Sequence, residues 1–381
     1  MNTAPWTHHN PVRVIFRPGV LQHIADYIDA ARVALVTTPG FRRRGIVDNI
    51  SDALGSRLVA IVDDVRPNPD VQDLQAQSAR LRAEHPDTLI ALGGGSTIDT
   101  AKALARLLTE PEGTNLMTLL RDGAVAATAP ALAVVAIPTT AGTGAEVTPF
   151  GTVWNHAEKM KYSIVGEDLF PQLAILDPEL TLGMPTEITI ASGLDAISHA
   201  MESAWNRNAT PVTLGLVTKS LRLSMQSLAA ASEHPADIEA RSSMMQASTL
   251  AGLAISQSRT ALAHSISYPL TANFNLPHGL ACSFTLPMLL SFNAASDDGR
   301  LADLARAVGH TDTDSLARDL TGLFERLGVG GYLSRYLPDR SSIMALSDQM
   351  FAPGRAENNL RHASEDQVST LVNESLDALG L

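Results

Sequence analysis

Leu89-Ile90-Ala91-Leu92-Gly93-Gly94-Gly95-Ser96-Thr97-Ile98-Asp99 is an apolar run that passes directly into three glycines and a hydroxyl residue. That order reads as a buried strand, a tight turn and the start of a helix. Such a turn lets backbone N–H groups and a helix dipole approach a pyrophosphate. A plain strand-to-helix turn has the same composition, and these residues alone leave both readings open. Around this stretch, β-rich runs at 33–37, 58–62, 88–92 and 134–138 alternate with helical spacing at 20–30, 71–84 and 100–108. The alternation predicts βαβ units and a parallel sheet.

A second loop, Ile137-Pro138-Thr139-Thr140-Ala141-Gly142-Thr143-Gly144-Ala145-Glu146, again follows an apolar run. Ligands of open α/β sheets bind at the carboxyl ends of strands, where both loops would lie. Further strands are expected at 150–154, 162–165 and 173–176, ended by Asp177-Pro178. Beyond Thr181 the β signal fades, and 194–205, 213–231, 237–256, 301–308 and 315–327 read as helices. The expectation is an α/β domain over residues 1–181 followed by an all-helical domain over residues 182–381.

A chain of 381 residues with 45% apolar composition can bury a substantial core, and its net charge of -12 repels nucleic-acid backbones and anionic membrane surfaces. Neither is an expected partner. The single cysteine, Cys282, excludes an intrachain disulfide and lies among apolar neighbours, as a buried, inert thiol would. The N-terminus has no secretory pattern, so the cytoplasm is the expected compartment. The weakly charged stretch 242–296 is interrupted by Gln, Ser, Asn, Pro and His, which suits a packed helical core better than a membrane span.

Asp195 and His199 stand at i and i+4, on one helix face, and His264 and His278 follow. Three imidazoles and a carboxylate suit a divalent metal such as iron or zinc, with a position left for a substrate oxygen.

GGGSTID, IPTTAGTGAEVT, DPELTLGMP, GLDAISHAMES, AGLAISQSRTALAHSISYP and NLPHGLA, in this order, resemble the iron-containing (group III) alcohol dehydrogenase family. The resemblance runs from about Pro18 to the C-terminal ENNLRHASEDQV. It implies a dehydroquinate synthase-like fold, with a parallel-sheet dinucleotide-binding domain before an all-α metal-binding domain. It also implies an NADH- or NADPH-linked enzyme that interconverts an aldehyde and an alcohol, usually as a dimer or larger homo-oligomer. Asp195, His199, His264 and His278 would hold Fe2+ or Zn2+. Thr38, Gly93, Gly94, Gly95, Ser96, Asp99, Thr139, Thr140, Thr143 and Lys161 would line the cofactor.

The sequence departs from that family at two points. Tyr268 stands where many members have a second histidine four residues after the third metal ligand, as a proton donor or as a pocket wall. Thr38 stands where NAD-dependent relatives often carry an aspartate that would repel a 2′-phosphate; with Arg42, Arg43 and Arg44 nearby, use of NADPH as well as NADH is expected. Within 242–296 the only charged residue is Arg259, which reads either as a structural ion pair or interface contact, or as a clamp for an anionic substrate group. SRTALAHSISYP is similar to the branch that reduces phosphonoacetaldehyde to 2-hydroxyethylphosphonate in phosphonate biosynthesis. A general short-chain alcohol or diol dehydrogenase, a dehydroquinate synthase-like lyase and a catalytically inactive scaffold are the competing readings.

Overall fold

A computed structural model describes residues 5–122, 129–351 and 354–381. The chain forms two compact units. One comprises Asn10–Thr140 and Ala145–Thr181; the other comprises Leu182–Leu381 with Ala141–Gly144 and residues 5–9.

The first unit is built on a six-stranded parallel sheet. Its strands are β1 (Arg13–Phe16), β2 (Val33–Thr37), β3 (Leu58–Val62), β4 (Thr88–Gly93), β5 (Ala133–Pro138) and β8 (Leu173–Leu176), in the spatial order β1-β8-β5-β4-β2-β3. Both faces are covered, which is why the central strands are continuously apolar. Val33, Leu35, Ile90, Leu92, Val135 and Ile137 point to a core that includes Ile24, Val47 and Ile50. Ala34, Val36, Leu89, Ala91, Val134 and Ala136 point to the other, with Leu74, Ile98 and Leu104. β6 (Phe150–Asn155) and β7 (Met160–Val165) form a separate antiparallel pair rather than extending the sheet.

The strand order reverses between β2 and β4. β3 follows β2 on one side, while β4 and β5 build outward on the other, so the ends of β2 and β4 flank a topological switch point. The helix Gly95–Thr109 starts directly after β4. On it the buried Lys102 donates from Nζ to the carbonyl oxygens of Ala145, Thr148 and Phe150 at 2.7, 2.7 and 2.8 Å. One ammonium thereby holds the chain between β5 and β6.

Two local expectations differ from the structure. Residues 20–27 form a kinked 3-10 segment, Val20–Tyr27, because the Asp177 carboxylate accepts from the N–H groups of Gly19 and Leu21 and fixes a tight start. β1 did not stand out in the sequence: it is four residues long, sits at the sheet edge and leaves Val14 and Phe16 exposed.

Among the described residues the second unit contains helices and no strand. Its centre is a set of three long helices, Thr186–Ala204, Pro211–Glu233 and Ile238–Ser258, that pack on one another through many small buried residues. Their starts follow capping chemistry: Thr210 forms a capping box with Thr213, and the Asp237 carboxylate accepts from the N–H groups of Glu239 and Ala240. Leu262–Phe274, His278–Ala281 and Leu286–Ala294 fill the weakly charged stretch, and Arg300–Ala307, Thr313–Arg326 and Glu365–Ala378 follow. No described helix is long and apolar enough to cross a membrane.

Candidate active site

Asp195, His199 and Glu202 lie on one face of the helix Thr186–Ala204 at i, i+4 and i+7. The helix Leu262–Phe274 brings His264 to that face from its first turn, and His278 opens the short helix His278–Ala281. That helix can approach because Gly279 has no side chain: a Cβ there would overlap the carbonyl oxygen of Ala191, one turn before Asp195. The hydroxyl of Ser198 adds a hydrogen bond of 2.8 Å to the carbonyl oxygen of Cys282.

The donors converge on one oxygen. Asp195 Oδ1 lies 3.6 Å from His199 Nε2, 3.6 Å from His264 Nε2 and 4.0 Å from His278 Nε2. Two ligands bound about 2.1 Å from an ion at a tetrahedral angle stand about 3.4 Å apart, so these separations are close to those of a coordination shell. His264 is held on its far side by Glu202, whose carboxylate accepts from His264 Nδ1 at 2.7 Å and from its backbone N–H at 3.1 Å. His264 Nε2 is buried with no hydrogen-bond partner among the described residues. Nitrogen and carboxylate donors, a buried nitrogen facing a carboxylate oxygen, and negative charge from two buried acids together fit a divalent cation.

The same groups are coupled electrostatically. Burial alone would raise Asp195, but His199, His264 and His278 outweigh it and hold its carboxyl well below the usual range. Burial holds His199 below its ordinary value. It would also lower His264, yet the Glu202 carboxylate, with smaller contributions from Cys282 and Asp195, pushes that imidazole well above its ordinary value.

A cavity of about 490 Å3 opens beside the cluster, lined by residues that include Thr143, Ile188, Ser192, Asp195, His278 and Tyr336. His278 is the most exposed of the four expected ligands, its side chain 35% accessible. Tyr268 lies near it, the ring centroids 6.5 Å apart and the planes within 15°. Arg259 is exposed, makes no ion pair among the described residues, and does not line this cavity. Its backbone has φ 65° and ψ 173°, a region nearly reserved for glycine, and its carbonyl oxygen accepts from the buried Asn206 at 3.0 Å.

Most of the expected cofactor residues belong to the first unit. Gly93 ends β4, Gly94 is the N-cap of the next helix, Gly95 and Ser96 begin it, and the Thr139 N–H donates to the Gly93 carbonyl at 3.0 Å. Thr38 follows β2 across the switch point. Lys161, on β7, is close enough to Asp99 to favour its charge. Thr143 belongs instead to the second unit. Of the three arginines after Thr38, Arg42 pairs with Asp63 and Arg44 covers the Phe41 ring. Sequence reasoning missed Glu202, which the i+7 spacing from Asp195 would have exposed, and the approach of Cys282, which stands at i+4 from His278.

Two family models match the chain, "Iron-containing alcohol dehydrogenase" over residues 11–178 and "Fe-containing alcohol dehydrogenase family, C-terminal" over residues 189–376. The chain belongs to the iron-containing alcohol dehydrogenase family. A phosphonoacetaldehyde reductase of Streptomyces viridochromogenes is 38% identical over 299 residues, covering 77% of this chain and 75% of that one. A sulfoacetaldehyde reductase of Bilophila wadsworthia is 29% identical over 98% of this chain and all of its own. The crystal structure of sulfoacetaldehyde reductase from Bifidobacterium kashiwanohense in complex with NAD+ superposes with a TM-score of 0.91, at 31% identity, over 98% of this chain and 99% of that one. The protein is an aldehyde reductase of this family.

Asp99 gives a pH test of the glycine-loop region. Desolvation pushes its carboxyl from 3.8 up to about 6, against the pull of Lys102, a Thr152 backbone hydrogen bond and Lys161. A carboxyl that ionises less readily when folded costs stability as pH rises from about 4 to about 6, and the loss persists above that window. Asp99→Asn should therefore be more stable than the parent at pH 7.5, by about 1 kcal/mol after allowance for partial solvent screening, with the gap closing towards pH 4. Urea denaturation at the two pH values measures it, and an unchanged gap would refute the assignment.

Proposed function

We propose that this enzyme reduces phosphonoacetaldehyde to 2-hydroxyethylphosphonate, using NADH or NADPH and a divalent metal held by Asp195, His199, His264 and His278. The observation that carries the metal-dependent reading is the convergence of three imidazole nitrogens on Asp195 Oδ1 beside a cavity that Asp195 and His278 line. When bound, iron or zinc supplies Lewis-acid polarisation of the carbonyl oxygen, and the reduced nicotinamide supplies the hydride. Glu202 orients His264 and fixes which of its nitrogens faces Asp195. Tyr268, beside His278, is the proton donor to the product oxygen through its phenolic hydroxyl.

The glycine loop Gly93–Ser96, with Asp99, Thr139, Thr140, Thr143, Thr38 and Lys161, contacts the cofactor. A helix N-terminus behind glycines suits its pyrophosphate, and the absence of a carboxylate at Thr38 leaves a 2′-phosphate unopposed. The substrate reading is supported by two relatives named for acetaldehydes that carry a tetrahedral oxyanion group. Arg259, the only charged side chain of residues 242–296 and five residues before His264, is assigned to that oxyanion in this reading, although it lies outside the lining of the cavity beside His278. A homodimer or larger homo-oligomer in the cytoplasm completes the proposal. The edge strand β1, with Val14 and Phe16 exposed, supports self-association.

Iron-reconstituted enzyme should oxidise NADH and NADPH with phosphonoacetaldehyde at a kcat/KM about a hundredfold above that with propanal, and Arg259→Ala should remove most of that preference. Equal rates would make the protein a general short-chain alcohol dehydrogenase, and absence of net cofactor oxidation would favour a lyase. Gly279→Ala should displace His278 and weaken metal retention on dialysis by at least about tenfold, as read by metal analysis. Sedimentation of the native enzyme should give at least twice the chain mass; a monomer would exclude the oligomer.

A further inference from the structure

Two helical donor pairs face each other at the cluster. Asp195 and His199 are one i, i+4 pair; His278 and Cys282 are the other, with the Cys282 N–H donating to the His278 carbonyl at 2.9 Å across one turn. The thiol is fully buried and donates a hydrogen bond at 3.4 Å to Asp195 Oδ1, the same oxygen that the three imidazoles approach. Donor atoms of Asp195, His264, His278 and Cys282 all lie within 4.8 Å of one another. His264 Nε2, buried without a hydrogen-bond partner, faces Asp195 Oδ1 as well, which is an independent sign that a ligand belongs among these atoms.

We propose that Cys282 is a further, thiolate donor to the ion held by Asp195, His199, His264 and His278, and that it biases the site towards the softer divalent ions, zinc and cobalt. This rests on the metal reading above and adds the choice of ion to it. On binding, the S–H bond breaks, a sulfur–metal bond forms and the proton leaves to solvent; no electrons are transferred. A thiolate favours zinc over harder ions, whereas imidazole and carboxylate accept iron and zinc alike.

Cobalt(II) tests both layers separately, because its visible d–d bands report a site and a near-ultraviolet sulfur-to-cobalt charge-transfer band reports a thiolate. Cys282 is the only cysteine, so a thiolate band from this chain has one source. Full-length protein loaded with cobalt(II) should have both sets of bands. Cys282→Ser and Cys282→Ala, each checked for folding by its thermal melt, should keep the visible bands, lose the charge-transfer band and release zinc to a chelator about tenfold more readily. Visible bands without charge transfer in the parent would overturn the thiolate and leave the metal site standing. Absence of all cobalt bands in the parent would overturn both.

Discussion

One buried carboxylate oxygen organises the second unit. Asp195 Oδ1 sits among three imidazoles and a thiol, and a charge so far from water is tolerated only with compensation close by. Meeting that requirement constrains everything around it. The helix Thr186–Ala204 must present Asp195 and His199 together, the helix Leu262–Phe274 must start where His264 can reach them, and the His278 helix must come within side-chain reach. Small residues make the approaches possible: Gly279 against Ala191, and Gly144, at φ +60°, against Gly252. Glu202 is the second buried acid, and it spends both oxygens on the backbone and ring of His264.

The first unit solves a different problem. A parallel sheet covered on both faces buries its central strands, and the strand ends at the switch point are where backbone N–H groups and hydroxyls remain for a ligand. Lys102 supports that edge from within. Burial lowers its pKa to about 8, against the pull of Asp99 and Glu146, and its ammonium is satisfied by carbonyl oxygens rather than by a paired carboxylate. A lysine in an apolar helix face is therefore here a backbone clamp.

Legibility in the sequence followed the strength of periodic signals. β2 and β8 were readable to the residue because a strand buried on both faces is an unbroken apolar run bounded by turn residues, and β3, half-buried at the sheet edge, is an unbroken apolar run as well. Helices with a polar face were readable for the same kind of reason. The helices between residues 262 and 294 had no readable bounds: the first has Pro269 inside it, and the three are buried nearly all round, so no polar stripe marks a period. The helix Glu365–Ala378 was missed although its capping box, Ser364 with Gln367, stood in the sequence.

The sequence by itself determined the fold class, the two glycine- and threonine-bearing loops and the family, because each is carried by residues close together along the chain. Only the tertiary structure set the distances among the donors and added the groups around them. Asp195 and His264 are brought to 3.6 Å by helix packing, Glu202 is recruited to His264 across 62 residues, and Cys282 changes from an isolated thiol to a neighbour of Asp195. It also decided that residues 141–144 of the threonine loop pack with the helical unit, since Gly142 and Gly144 lie against Ser192 and Gly252. The physical reason is common to all of these. Spacing along a chain fixes which side chains share a face, whereas the distance between faces is set by the small residues that let backbones approach.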